Sequence, residues 1–199
     1  MKISAVFGGL VALALALPAV ACEEFYEVDN AQGKQLVETL KNPEADEFDQ
    51  VIAFDTLICA KRVALRNIAL RYGRTASSPD VRAQVLHTAL FKMPRLVMTF
   101  IPEEGMSKEA REFLKTTPVW TLEIGKRFPD QNCMSLGGGS DCDSNLLQIV
   151  GNKVQVSFTP HWAHVEAQLN LSEDGMLIGW FINRKDKGIG KLPVEIILQ

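Results

Sequence analysis

Two histidines three residues apart form the most suggestive chemical motif in this sequence, His161-Trp162-Ala163-His164. Imidazoles at this spacing can share a metal ion where the backbone is helical or turning, whereas positions three apart in a regular strand face opposite sides of the sheet. Zinc also requires a third and usually a fourth ligand, and the nearest candidates are Glu166 and cysteines that we expect to be oxidised. The sequence therefore identifies no metal, and the favoured interpretation is that the two histidines lie at a rim or take part in packing.

The other polar motifs each lack part of the pattern that their chemistry needs. Asp141, Asp143 and Asn145 alternate as in the first half of a calcium loop, but Leu146 replaces the glycine of its sharp turn. Ser140 lacks the Gly-x-Ser-x-Gly elbow of serine hydrolases, and the glycines before it lack the Lys-Ser/Thr end of a phosphate-binding loop. We therefore predict no catalytic residue and no cofactor, and a non-enzymatic protein is favoured over an enzyme.

Three tryptophans, Trp120, Trp162 and Trp180, fall on or beside predicted strands. Exposed aromatic residues on a sheet commonly make binding surfaces. Trp180 shares a strand face with Ile178 and Ile182, so we predict that it lies in the core. Trp162 stands between the two histidines and is the better candidate for contact with a ligand. The predicted binding residues are Trp162, His161 and His164.

Residues 1–21 have the three parts of a cleavable signal peptide. Lys2 supplies the positive charge, residues 5–17 are almost wholly apolar, and Ala19-Val20-Ala21 offers a cleavage site. This stretch is shorter than the about 20 apolar residues that a spanning helix needs, and no later stretch approaches that length. We expect a periplasmic or secreted protein with no transmembrane segment after cleavage. The alternative is a lipoprotein anchored through Cys22, which directly follows the cleavage site.

The cysteines form an even set, which in an exported chain favours disulfide bonds. The set is Cys22, Cys59, Cys133 and Cys142, for which three pairings exist. We prefer Cys133–Cys142, which closes a short loop through the glycines 137–139, together with Cys22–Cys59, which ties the amino end of the mature chain to a helix. The chain has no Cys-x-x-Cys motif, so a structural role is predicted.

Helical signals dominate before residue 118, and strand signals dominate after it. This change predicts a mainly helical subdomain over residues 22–117 and an antiparallel β subdomain over residues 118–199. Asn42-Pro43 is predicted to end the first helix and to begin the second, because proline suits a first helical position. Residues 44–72 contain no Gly or Pro and predict one long helix or a closely joined pair.

Alternation of apolar and polar residues predicts an antiparallel meander near the carboxyl end. Its strands are expected at 147–150, 153–158, 165–171, 176–182 and 194–198, with 120–124 and 96–101 as further partners. The predicted fold class is α+β, with an N-terminal helical subdomain packed on a C-terminal antiparallel β-meander sheet or partly closed barrel. We expect about five to seven strands.

For function we expect an exported, non-enzymatic binding or interaction protein. Its partner would be a protein, or a small apolar ligand held inside the curled sheet. The alternative is a small metal-binding protein or a metal-dependent hydrolase centred on His161 and His164. The chain carries 21 Lys and Arg against 24 Asp and Glu, a net charge of −3, so it has no general attraction for phosphate backbones and nucleic acid is not an expected partner.

Overall fold

The computed structural model describes residue 22, residues 24–159 and residues 163–198. Within these residues the chain forms five α-helices, a short 3-10 helix at Pro129–Gln131 and eight strands. The helices are α1 (Asn30–Lys41), α2 (Glu47–Ile58), α3 (Val63–Gly73), α4 (Pro79–Lys92) and α5 (Lys108–Thr116). The strands are β1 (Arg95–Phe100), β2 (Val119–Phe128), β3 (Cys133–Leu136), β4 (Leu146–Val150), β5 (Lys153–Phe158), β6 (Val165–Leu171), β7 (Met176–Asn183) and β8 (Lys191–Ile197).

The eight strands form a closed antiparallel barrel in which each strand pairs with its neighbour in sequence. The first and last strands close it, with Thr99 opposite Glu195 and Phe100 opposite Val194. The α+β prediction is confirmed, because the helices precede most of the sheet, but the sheet is a complete barrel and has more strands than expected. It also includes β1, which comes from the part of the chain that we expected to be mainly helical.

Strand β3 (Cys133–Leu136) is not among the predicted strands, and in the structure all four of its residues are buried, with no alternation between its faces. Met134 and Leu136 face the barrel interior, while Cys133 and Ser135 are covered from outside by the cysteine loop. The Ser135 hydroxyl donates to the Gly139 carbonyl at 2.6 Å and accepts from the Lys126 backbone N–H at 2.8 Å. A loop that covers the outer face of a strand therefore removes the periodicity on which the prediction depended.

The helix boundaries follow local capping. Ser78 caps α4 with Pro79 at its first position, and Ser107 caps α5, both as such residues predict. The start of α2 differs from the prediction, because Asp46 caps it by accepting from the Phe48 backbone N–H at 2.9 Å. Asn42 ends α1 as predicted, but its side chain accepts from the Glu44 N–H and holds a turn instead of starting a helix.

The helical stretch predicted for residues 44–72 is a pair, α2 and α3, separated at residues 59–62. The backbone there bonds to the amino-terminal segment. The Tyr26 N–H donates to the Cys59 carbonyl, and the Lys61 N–H donates to the Tyr26 carbonyl, each at 2.9 Å. These bonds replace helical ones, and the adjacent Cys22–Cys59 disulfide fixes the crossing.

Both preferred disulfides are present, Cys22–Cys59 and Cys133–Cys142, and the described cysteines include no free thiol. Because the Cys22 sulfur is bonded to Cys59, it is not available for a lipid, and the lipoprotein alternative is not supported. Two disulfides are typical of proteins in an oxidising, non-cytoplasmic compartment. The predicted signal peptide lies outside the described residues. Among the described helices, none is long and apolar enough to cross a membrane.

Helix α4 joins the helical part to the barrel because it has two buried faces. Val81 and Val85 belong to the core of the helical part, whereas Leu86 and Leu90 belong to the core that fills the barrel. Its last turn continues through Pro94 directly into β1. The guanidinium of Arg127, on β2, donates to the carbonyls of Phe91 and Met93 at 2.8 and 2.7 Å, and so satisfies carbonyls at the end of α4.

The barrel has two different ends. One end, here called the turn end, carries the short β2–β3, β4–β5 and β6–β7 connections and the entry from α4. The other, the loop end, carries α5, the cysteine loop, the connection after β5 and residues 184–190. Aromatic rings fill the barrel near the loop end, with the centroid of Phe181 4.9 Å from Phe100 and 5.2 Å from Trp120. Phe113 of α5 packs on the same rings.

Candidate binding site

His164 lies at the loop end, directly before β6, in a short chain of polar contacts. Its Nδ1 is 3.0 Å from the Thr159 Oγ1, and its Nε2 is 3.4 Å from the Glu166 Oε1. The Arg184 guanidinium donates to the other oxygen of Glu166 at 2.7 Å. The four side chains follow one another as hydroxyl, imidazole, carboxylate and guanidinium, and we call them the His164 network.

Strand pairing positions this network. Thr159 directly follows β5, His164 directly precedes β6, and Arg184 directly follows β7, so the three come from neighbouring strand ends. The Arg184 backbone N–H donates to the His164 carbonyl at 2.7 Å. The buried Asn183 accepts through its side-chain oxygen from the backbone N–H groups of His164 and Lys185. The backbone of the network is therefore fixed independently of any ligand.

The electrostatics of the network centre on the ion pair between Glu166 and Arg184. The hydrogen bond from Arg184 lowers the pKa of Glu166, the charges of Arg184 and His164 act in the same direction, and slight burial opposes them. Glu166 in turn raises the pKa of Arg184. Glu166 is therefore an ionised carboxylate that bonds to Arg184 through one oxygen and contacts His164 through the other.

The other two predicted binding residues, His161 and Trp162, lie outside the described residues. Their position relative to His164 stays a prediction, and so does the metal alternative that depends on both histidines. Among the described residues no group of three His, Cys, Asp or Glu side chains is arranged to hold a metal ion. Glu166 is the one predicted extra ligand that does lie beside His164, and one of its oxygens is already bonded to Arg184.

The residues of the incomplete calcium motif have local roles. The Asp141 carboxylate accepts from the Asp143 backbone N–H at 3.2 Å, and the Asn145 side chain accepts from the Thr159 backbone N–H at 2.7 Å. Ser140 approaches Asp141 at 3.5 Å. These are the side-chain-to-backbone bonds that Asx residues make in loops, beside a disulfide that already closes the loop.

The described side chains that point into the barrel fill its inside. Every strand contributes an inward side chain that is at most 3% exposed, and a cavity able to hold a ligand would leave its walls accessible to water. These residues are Met98, Leu122, Met134, Leu147, Val154, Val165, Leu177 and Leu192. An eight-stranded barrel is just wide enough for its own side chains to fill.

The outer wall of the barrel, by contrast, exposes large apolar side chains. Trp180 is 46% exposed, Ile178 is 42% exposed and Ile197 is 57% exposed. Met176, Ile178 and Trp180 are successive outward positions of β7, and Met176 pairs across the sheet with Ile197 of β8. With the half-buried Val97 of β1 these residues form the outer patch (Val97, Met176, Ile178, Trp180 and Ile197).

The prediction that Trp180 lies in the core is wrong. Strand β7 is apolar at almost every position, so alternation does not tell its two faces apart. Leu177 and Phe181, wholly buried, form the inner face, and Trp180 with Ile178 forms the outer one. Because Trp180 is exposed, it is a candidate for a binding surface.

A groove of about 340 Å³ opens beside the outer patch, where α4 turns into β1. Met93, Val97, Thr99 and Ile197 line it, and Lys92 and Arg95 stand at its cationic side. The side chains of Lys92 and Arg95 form no ion pair or hydrogen bond with any described residue, although Glu123 lies opposite Arg95 in the pairing of β1 with β2. Other cations nearby are occupied, since Arg127 bonds to the end of α4 and Arg74 donates to the Leu198 carbonyl.

Sequence reasoning missed the groove residues because they come from distant parts of the chain. Val97 and Ile197 meet only through the pairing of β1 with β8. A local signal did exist in Lys92-Met93-Pro94-Arg95, where two cations flank an apolar turn between a helix and a strand. Comparison with protein-family models, with curated proteins and with solved structures finds no match for this chain, so its function has to be inferred from its own geometry.

Proposed function

We propose that this chain is an exported, non-enzymatic binding protein whose ligand surface is the outer patch together with the adjoining groove. The observation that carries the proposal is an exposed apolar area next to two cations without partners, on the outside of a barrel whose interior is filled. A contiguous apolar patch on a soluble domain commonly marks a binding site, because leaving it in contact with water is unfavourable.

The polar groups support binding over catalysis. The His164 network is the best-connected set of titratable side chains at the loop end, and its carboxylate is neutralised by Arg184. The outer patch and the groove contain no histidine or cysteine that could act as a base or nucleophile. The two disulfides support export, because such bonds persist in oxidising compartments.

The proposal is tested with an uncharged apolar dye, N-phenyl-1-naphthylamine, titrated into the purified oxidised protein and followed by fluorescence. Ile197→Ser and Trp180→Ser should each weaken dye binding by about tenfold, because each removes apolar contact area worth roughly one to two kcal/mol. Circular dichroism should show that both variants remain folded, since both side chains point outward from the barrel.

Val150→Ser is the matched control. Val150 is 56% exposed, close to the 57% of Ile197, but it lies at the β4–β5 hairpin and not in the outer patch. This variant should bind the dye as tightly as the unchanged protein. If dye binding is equally weakened by Val150→Ser, or is unaffected by all three substitutions, the outer patch is not the ligand surface.

A further inference from the structure

We infer that the groove beside α4 binds a single-chain anionic amphiphile, a molecule such as a fatty acid with a carboxylate head and an unbranched apolar tail. This inference rests on the proposed function and names its ligand class. The head would lie between Lys92 and Arg95, and the tail would lie over Met93, Val97 and Ile197.

The charge of the groove selects the sign of the head group. Lys92 and Arg95 are exposed, and no carboxylate lines the groove. The side chains of both cations form no ion pair within the described part of the chain, although the exposed Glu123 lies opposite Arg95 in the pairing of β1 with β2. Arg127, the other guanidinium close by, is held by the Phe91 and Met93 carbonyls and helps to fix the turn that carries Lys92 and Arg95.

The size of the groove selects a small ligand. Its volume of about 340 Å³ lies at the lower end of the range typical of small-molecule sites, roughly 300–1,000 Å³. A stable protein interface needs about 800 Å² from each partner, whereas the outer patch spans only three neighbouring strands. A closed barrel also leaves no free strand edge to which a peptide strand could add.

The outer patch gives the ligand one orientation. The apolar floor continues from Val97 across Ile197 to Met176, over about 10 Å, which is two strand spacings. Glu195, the outward residue two positions before Ile197, lies opposite Thr99 on one side and Ile178 on the other. Its carboxylate repels an anionic head from the middle of the outer wall, so the head is directed to Lys92 and Arg95 and the tail away from them.

The test is calorimetric titration of the oxidised protein with sodium decanoate, and with decyltrimethylammonium, which has the same tail and a cationic head. We expect one decanoate per chain, weaker binding at higher salt, and no binding of the cationic amphiphile. The double variant Lys92→Gln/Arg95→Gln should weaken decanoate binding by about tenfold, as expected for two exposed ion pairs.

Lys34→Gln/Lys153→Gln is the matched control, because it removes the same charge from two exposed lysines that lie away from the groove. It should leave decanoate binding unchanged. Equal binding of both amphiphiles, or an unchanged affinity of the groove variant, would overturn the inference. Binding to phosphatidylglycerol vesicles without binding of decanoate would overturn it in favour of a membrane surface.

The naphthylamine dye separates this inference from the proposed function. Lys92→Gln/Arg95→Gln should still bind the uncharged dye, because the outer patch is intact. If the dye binds through Ile197 and Trp180 while decanoate does not bind, the outer-wall function stands and the ligand class assigned here is wrong. If neither binds, both fail.

Discussion

The His164 network at the loop end and the two cations of the groove at the turn end differ in whether their charges are paired. At the loop end, Glu166 bonds to Arg184 and contacts His164, so the charges are compensated within the fold. At the turn end, Lys92 and Arg95 border an apolar groove, and their side chains form no ion pair among the described residues. A compensated group holds backbone segments together, whereas an uncompensated group beside apolar surface is available to a ligand. The spacing of polar residues in the sequence does not tell a compensated charged group from an uncompensated one.

The largest expected effect tests this distinction within the turn end itself. Arg127→Met should lower the free energy of unfolding by about 2 kcal/mol, because it removes charge-assisted hydrogen bonds to the Phe91 and Met93 carbonyls. Arg95→Met, the matched control, should change it by less than about 0.5 kcal/mol, since the side chain of Arg95 is exposed and forms no ion pair or hydrogen bond with a described residue. Urea unfolding measures both. A comparable loss from Arg95→Met would mean that this cation is structural.

A smaller effect compares two histidines. His87, on α4, is 8% exposed and stacks on Phe91, and its Nε2 is buried without a hydrogen-bond partner in the described part of the chain. Burial lowers its pKa below the usual 6.5, and a hydrogen bond with Asn132 opposes this. The unfolded chain therefore binds a proton at His87 near pH 6.5, whereas the folded protein does not. The contribution of His87 to stability is constant above that pH and falls as the pH drops below it.

Urea unfolding between pH 7.5 and 5.5 measures this slope. His87→Gln should flatten it, because the variant has no ring to protonate at that position. His164→Gln should retain it, since the buried ring of His87 is still present. A slope that disappears in His164→Gln and survives in His87→Gln would assign the acid sensitivity to the loop end.

The smallest expected effect concerns the Glu166–Arg184 ion pair of the His164 network. Arg184→Gln should raise the pKa of Glu166 toward its usual value, because the Arg184 hydrogen bond is the main cause of the lowering. Carbon-detected NMR titration of the Glu166 carboxyl measures the change. In the unchanged protein the folded state holds the pKa of Glu166 below its value in the unfolded chain. The ionised carboxylate therefore stabilises the fold at pH values above the unfolded pKa, and this stabilisation is lost as the pH falls through the folded pKa. An unchanged titration would show that Arg184 and Glu166 are not paired in solution.

Much of the fold could be predicted from local sequence. Strands β4, β5 and β6 alternate clearly, and Ser78-Pro79 and Ser107 cap their helices as expected. The errors have physical reasons. Strand β3 is covered on both faces, β7 is apolar on both faces, and the break between α2 and α3 depends on backbone bonds to Tyr26. In each case tertiary contacts decide what the local pattern leaves open.

The binding surface was less accessible to sequence reasoning. The sequence predicts His164 as a binding residue, which stays a prediction, and its network uses Arg184, which only the pairing of β6 with β7 brings close. The groove uses β1 and β8, whose residues are about one hundred positions apart in the chain, so no local window contains both Val97 and Ile197. A pattern of apolar residues predicts which strands exist, and strand pairing decides which surfaces they create.

The pairing of β1 with β8 also has a consequence for the order of folding. Both disulfides close short stretches, with sequence separations of 37 and 9 residues, and neither links the helical part to the barrel. The β1–β8 contact needs all the intervening strands in place, so we expect it to form late, because loop closure over long separations is slow. The groove lies across the β1–β8 pairing and forms only when these two strands have paired. A ligand of the groove would therefore bind only the completed barrel and, by mass action, would stabilise it against opening.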